Sequence, residues 1–98
     1  MVKAWSKMER NTAARYNGRT TPQSGAGWVA KNDVRTFTES IECKTTKAAS
    51  FSLKVSELKK ADKTALLDGR RMVFEIQFEG RGKYVVLNEE DYLELRDK

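Results

Sequence analysis

IECKT, at residues 41–45, predicts the β-strand around which the fold is built. Successive side chains of a strand point to opposite faces, so Glu42 and Lys44 emerge together while Cys43 faces the other way. Asp33 lies nine residues before Glu42. Two carboxylates and one ammonium at a strand edge are the groups that metal-assisted phosphodiester hydrolysis requires. The stretch therefore favours a nuclease.

A hairpin brings Asp33 to this strand. We predict that residues 34–38 and 41–45 pair as antiparallel strands across a turn at Glu39-Ser40. This pairing sets Asp33 across the ladder from positions 44–46. Asp33 and Glu42 are then expected to lie within reach of one ion.

Helical periodicity predicts three helices. Apolar residues at steps of three and four indicate a helix over residues 3–16, which Asn17-Gly18 ends. A second helix runs from about residue 52 or 54 to residue 67, with Gly69 as its stop. Asn88 is the expected N-cap of a last helix.

Alternation of apolar residues predicts the other strands. Residues 72–78 and 83–87 form two of them, and residues 28–30 form a short one. Residues 19–27 are polar and glycine-bearing, and we expect a mobile loop there. The order is α-β-β-β-α-β-β-α, which predicts a single α/β domain over residues 1–98: a central mixed sheet flanked by helices.

The composition excludes several classes of chemistry. The chain of 98 residues contains no histidine, which removes His-metal nucleases and hydrolases that use a Ser-His-Asp or Cys-His arrangement. Its one cysteine cannot form an internal disulfide, which fits a reducing cytoplasm. The sequence shows no apolar run of transmembrane length and no signal peptide, so we expect a cytoplasmic protein with no membrane partner.

The basic excess lies in the half of the chain that holds the trio. Residues 1–50 contain nine Lys/Arg and four Asp/Glu, whereas residues 51–98 contain ten of each. A basic surface around an acidic centre is typical of a protein that holds a polyanion next to a metal. Solubility alone is the other explanation of the net charge of +5.

The chemistry of the trio points to Mg²⁺, with Mn²⁺ as a substitute. Asp33 and Glu42 supply carboxylates, and the backbone carbonyl of Cys43 completes the protein ligands. Lys44 orients the attacking water or stabilises charge that develops at phosphorus. A second Glu-x-Lys, at residues 57–59, is a natural control, because residues two apart on its predicted helix diverge.

Asn32-Asp33, an eight-residue gap and then IECKTT resemble the signature of the PD-(D/E)xK nuclease superfamily. Within it, the chain is similar to the small Holliday junction resolvases of archaea and bacteriophages. A helix that carries Glu9 upstream, a loop of sequence QSGAG at residues 23–27, and the helix, strand and hairpin after the core strand support that choice.

This resemblance implies a restriction-endonuclease-like fold and a metal-dependent endonuclease that resolves four-way DNA junctions as a homodimer, by paired symmetric cuts. Asp33 and Glu42 would bind the metal and Lys44 would act at the water. Glu9 would be a third carboxylate, in contact with the metal directly or through water. Ser24 would reach the DNA backbone near the scissile phosphate.

Several basic residues are candidate phosphate contacts, which position DNA without reading its sequence. They are Arg10, Arg15, Arg19, Lys31, Arg35 and Lys47.

Three departures from the family pattern are visible. Asn32 replaces the proline that usually precedes the aspartate, and Cys43 replaces a larger apolar residue, where we expect it to serve packing. The distance from Glu9 to Ser24 is shorter than in the archaeal enzymes. Two alternatives stay open: a nuclease or nickase that acts on other branched or flapped DNA, and a non-catalytic nucleic-acid-binding module of the same fold.

Overall fold

The computed structural model describes residues 4–20 and 33–98 of the chain. Within these ranges the predicted helices and the four predicted strands or hairpin strands that follow residue 33 occur in the predicted order, whereas the first strand lies at Arg19–Thr20, where a loop was predicted. Within the same ranges, no helix has both the length and the apolarity that a membrane span requires. The elements are α1 (Ala4–Tyr16), β1 (Arg19–Thr20), β2 (Val34–Arg35), β3 (Glu39–Thr46), α2 (Val55–Leu67), β4 (Arg71–Phe78), β5 (Gly82–Val86) and α3 (Glu89–Arg96).

The strands form one sheet in the order β1-β2-β3-β4-β5. Neighbours are antiparallel except β3 and β4, which are parallel. A parallel pair needs a crossover connection, and α2 supplies it. The sheet is therefore mixed, as the sequence predicted.

β4 is the central strand of the core. Met72, Phe74 and Ile76 pack against Ala61 and Ala65 of α2, as the alternation predicted. The other face is covered as well, by α1. There the second cluster forms from Ala13, Val34, Ile41 and Val73, with Tyr16, Cys43 and Leu87 packed against it.

The predicted helix ends are confirmed. Asn17 has a positive φ of 56°, and the N–H of Gly18 bonds to the carbonyl of Ala13 at 2.7 Å, which closes α1 with a six-residue turn. Gly69 closes α2 in the same way, with φ 68°. The Asn88 side chain accepts the N–H of Asp91 at 2.9 Å and caps α3.

The predicted hairpin turn at Glu39-Ser40 is wrong. Both residues belong to β3, and the turn lies at residues 36–38. The Thr36 hydroxyl accepts the N–H groups of Thr38 and Glu39 at 3.2 and 2.9 Å, a local bond pattern that Ser and Thr form readily. A two-residue turn at Glu39-Ser40 would instead need residues that tolerate positive φ.

The predicted loop over residues 19–27 is wrong at its start, because Arg19 and Thr20 pair with β2. The strand predicted at residues 28–30 and the rest of the loop lie outside the described residues.

Glu75 is a buried charge in the middle of β4. Its side chain is 2% exposed. The Thr12 hydroxyl and the Arg15 guanidinium of α1 both donate to its carboxylate, the latter at 2.7 Å. These bonds satisfy the carboxylate and tie α1 to the sheet, because a buried acceptor without partners costs about 1–3 kcal/mol.

We predict that Glu75→Ala lowers the free energy of unfolding by about 2–4 kcal/mol, because it leaves the buried Thr12 hydroxyl without an acceptor and opens a cavity. Urea unfolding measures the loss. Glu79→Ala, just beyond the end of β4, is the matched control and should change stability by less than about 0.5 kcal/mol. Equal effects of the two variants would contradict this role of Glu75.

Candidate functional site

Asp33 is held by the backbone of β3. The ladder between β2 and β3 ends at the pair Val34–Ile41, so the next step outward sets Asp33 beside Glu42. Asp33 Oδ2 there accepts the N–H of Cys43 at 2.9 Å. The predicted partners of Asp33, positions 44–46, are therefore corrected to residues 42 and 43. Because the turn lies at residues 36–38, before the predicted position, the two carboxylates are closer together than the sequence suggested.

Glu42 lies within hydrogen-bonding distance of Asp33. Burial, a side-chain hydrogen bond with Asp33 and the Asp33 charge together raise the pKa of Glu42 to about 8, against the weaker opposing effect of Lys44 and Lys60. The Asp33 charge next to Glu42 disfavours the ionised form of Glu42, and a bound cation would offset this effect. The pair is thus a site of concentrated negative charge at the open end of the hairpin.

Glu9 approaches the same point from α1. Burial, followed by the charge of Asp33, raises the pKa of Glu9 to about 7. The Asp33 charge thus acts on two other carboxylates, those of Glu9 in α1 and Glu42 in β3. Among the described residues no three acidic or thiol side chains are close enough to hold a metal by themselves.

The donor set fits Mg²⁺. This ion binds proteins through one or two carboxylates and keeps several waters, so a pair of carboxylates suffices. The N–H and carbonyl of one strand residue lie on the same side of the strand, so the Cys43 carbonyl faces the side on which Asp33 accepts the Cys43 N–H. Asp33, Glu42 and that carbonyl would hold the ion, and Glu9 would bind one of its waters.

Lys44 lies where the alternation predicted it. Glu42 and Lys44 pair in register with Phe74 and Ile76 of β4, so all four share the sheet face that α2 covers. Lys44 is close enough to lower the pKa of Glu42. A cation therefore stands two residues from the carboxylate on one face.

Lys60 of α2 is a second cation near Glu42, and the sequence did not assign it to the site. It belongs to the exposed lysines of α2, yet its charge also lowers the pKa of Glu42. Only the packing of α2 over β3 reveals this proximity, because no sequence signal separates Lys60 from the neighbouring lysines. The control motif Glu57-Leu58-Lys59 lies on α2, as predicted.

The Cys43 thiol belongs to the core. It packs against the cluster under α1, and burial raises its pKa to about 12, although a hydrogen bond with Thr12 acts in the opposite direction. A thiol with so high a pKa is neutral at physiological pH and is a poor nucleophile. The structure therefore supports the packing role expected for Cys43.

The predicted phosphate contacts differ in their surroundings. Arg10 and Lys47 are exposed, whereas Arg15 pairs with Glu75. Arg19 and Arg35 lie opposite each other on β1 and β2. Ser24 and Lys31 lie outside the described residues. The DNA contacts of all these residues stay predictions.

The raised pKa of Glu42 predicts how stability depends on pH without a divalent cation. Since the unfolded chain releases the Glu42 proton near pH 4.5 and the folded chain near pH 8, the free energy of unfolding falls as pH rises across that window. Glu42→Gln should reduce this fall. In chelator at pH 9 its free energy of unfolding should exceed that of the wild type by on the order of 2 kcal/mol.

Urea unfolding in EDTA between pH 5 and 9 tests this expectation. Glu57→Gln on α2 is the matched control and should keep the wild-type profile. A Glu42→Gln profile parallel to the wild type at every pH would show that folding does not raise the pKa of Glu42.

Comparisons with known proteins concern the fold. No protein-family model matches the sequence, and no curated protein matches it. Among solved structures the chain is similar to Archaeoglobus fulgidus Hjc, a Holliday junction resolvase from an archaeal hyperthermophile, with a TM-score of 0.68 and 14% sequence identity. The match covers 84% of this chain and 75% of that one. The predicted restriction-endonuclease-like α/β fold is thereby confirmed: this chain has the fold of that resolvase.

Proposed function

We propose that this protein is an Mg²⁺-dependent endonuclease that cleaves branched DNA, with the four-way junction as its substrate. The observation that carries the proposal is the Asp33–Glu42 pair, held together by the Cys43 N–H with Lys44 on the same face. The fold shared with a Holliday junction resolvase supports the choice of substrate.

Hydrolysis forms a bond between a water oxygen and phosphorus and breaks one bridging P–O bond, whose oxygen leaves with a proton. When bound, Mg²⁺ supplies charge neutralisation at the phosphate and a more acidic water. Asp33 and Glu42 hold the site in place, and Glu9 accepts a hydrogen bond from water there. The Lys44 ammonium orients the attacking water or stabilises the charge that grows on the phosphate oxygens.

Paired cuts in a junction need two active sites, so we propose a homodimer, in which a two-fold axis fixes their separation. Helix α3 buries no residue within the described chain, and its Tyr92 and Leu95 are 53% and 40% exposed. These side chains are three residues apart and so lie on one helix face. That face is the surface we assign to the second copy.

A nuclease selective for other branched or flapped DNA is the first alternative, since it would use the same residues. A non-catalytic binding module of this fold is the second. The presence of Asp33, Glu42 and Lys44 together argues against the second, because binding alone does not need a carboxylate pair facing DNA.

Cleavage of a labelled four-way junction in Mg²⁺ tests the proposed function. We expect paired symmetric cuts, and we expect Asp33→Asn, Glu42→Gln and Lys44→Ala each to slow them by ~10²–10³-fold or more. Removal of a carboxylate should leave junction binding intact or tighter, because it removes negative charge that faces DNA. Glu57→Gln is the control and should cut at the wild-type rate.

Different substrates separate the alternatives. Cleavage of flaps or linear duplex as fast as the four-way junction would support a nuclease and contradict a junction resolvase. Tight junction binding without cleavage in Mg²⁺ or Mn²⁺ would favour the binding module. A large loss of activity in Glu57→Gln would show that the catalytic lysine and glutamate are the other pair.

Ca²⁺ tests the metal site without cleavage. At a concentration about 100 times its Kd, Ca²⁺ should raise the free energy of unfolding of the wild type by ~2.7 kcal/mol. Lys44→Ala should keep this gain, because Lys44 is not a ligand, whereas Glu42→Gln should lose most of it. A full gain in Glu42→Gln would place the ion elsewhere.

A further inference from the structure

A pocket opens at the end of the sheet where α1 and α2 end. It has a volume of about 550 Å³, and Arg19, Arg35 and Arg70 line it together with Gly18, Thr36 and Phe37. No acidic side chain is among the described residues that line it. We call it the arginine pocket. A cationic lining of this kind fits an anion.

The three arginines are held close together although their charges repel. Arg19 and Arg35 lie directly opposite across the β1–β2 ladder, an arrangement that is destabilising for like charges. Arg35 and Arg70 share one carboxylate, that of Asp68, at 3.1 and 2.8 Å. Within residues 4–20 and 33–98, no carboxylate pairs with Arg19. The pocket therefore keeps a positive charge that a phosphate would neutralise.

Gly18 is required where the pocket is built. A Cβ at this position would lie 2.6 Å from the backbone carbonyl oxygen of Arg35, closer than any side chain can approach. The end of α1 and strand β2 thus touch through their backbones. This contact sets Arg19 beside Arg35.

Phe37 projects from a rigid turn at the rim. Its side chain is 94% exposed, yet hydrogen bonds fix the backbone on both sides of it. Arg70 Nε donates to the carbonyl of Thr36 at 2.8 Å, and the N–H of Arg71 donates to that of Thr38 at the same distance. Glu39 also closes the turn by accepting the Thr36 hydroxyl at 3.1 Å. The aromatic ring is therefore presented to solvent by a fixed backbone.

The arginine pocket lies beside the carboxylate pair. Asp33 and Arg35 are two residues apart, and strand alternation sets them on one face, about 7 Å apart along the chain. One DNA strand can therefore meet both sites.

We propose that the arginine pocket binds a phosphate of the DNA strand next to the cleaved bond, and that Phe37 stacks on an unpaired base beside it. Aromatic side chains beside basic grooves are how proteins bind single-stranded nucleic acid. In a linear duplex the base must first leave its stack and its pair, whereas a base that is unpaired at a branch is already accessible. Phe37 thus favours branched DNA that exposes an unpaired base. The inference rests on the proposed function for its substrate.

Fluorescence anisotropy in Ca²⁺ tests the pocket apart from cleavage. The two labelled probes are a four-way junction with one unpaired nucleotide at the branch and a linear duplex of the same length. Phe37→Ala should weaken junction binding by about 5- to 100-fold and duplex binding by less than about twofold. Phe37→Trp should restore binding and Phe37→Leu should not, because leucine lacks a π face. Val55→Ala, an exposed apolar side chain at the start of α2, is the control and should bind as the wild type.

Arg19→Gln addresses the phosphate contact. It should weaken the binding of both probes and reduce the magnitude of the slope of log affinity against log salt concentration by about one unit. Arg81→Gln, exposed in the turn before β5, should leave that slope unchanged.

Each failure has its own signature. If the wild type cleaves junctions and Phe37→Ala binds them with wild-type affinity, the inference is overturned and the proposed function stands. Loss of junction affinity in Phe37→Ala without cleavage by the wild type would support the pocket and remove the nuclease. Equal losses on both probes, no DNA binding by the wild type, or a change of oligomeric state instead of affinity would each overturn the inference.

Discussion

The N–H of Cys43 donates to the Asp33 carboxylate, and the candidate site depends on this bond. It joins β2 to β3 just past the last ladder pair and sets Asp33 against Glu42, whose pKa rises to about 8 through burial and the contact with Asp33. The bond keeps two carboxylates together that would otherwise separate, and a divalent cation is the natural partner of such a pair.

The helices on the two faces of the sheet, α1 and α2, contribute different charges near Asp33 and Glu42. α1 brings Glu9 toward Asp33, and the bonds from Thr12 and Arg15 to the buried Glu75 anchor it one turn further along. α2 covers the opposite face and brings the Lys60 charge toward Glu42. The same two helices therefore pack the core and carry charged side chains to the site. A shift of either helix would change the distance of Glu9 or Lys60 from the carboxylate pair.

Local signals in the sequence predicted much of this arrangement. The alternation of β4, the stops at Asn17 and Gly69 and the cap at Asn88 depend on neighbouring residues and are confirmed. The hairpin turn was misplaced although the Thr36 bonds that close it are local, and bonds from Arg70 and Arg71, more than thirty residues away, also hold it. The burial of Glu75 escaped prediction because it needs α1 on the second face of the sheet. Local and long-range bonds together therefore set the register of Asp33 and the position of Phe37, and only the local ones could be predicted from neighbouring residues.

The central claim is that Asp33 and Glu42 bind one divalent cation. The most direct test is a crystal of the protein grown with Mn²⁺, with data collected at the manganese absorption edge. We expect one strong anomalous peak about 2.0–2.3 Å from a carboxylate oxygen of Asp33 and from one of Glu42, because Mn²⁺ shares the oxygen ligands of Mg²⁺. Absence of the peak at saturating Mn²⁺, or a peak away from both residues, would contradict it.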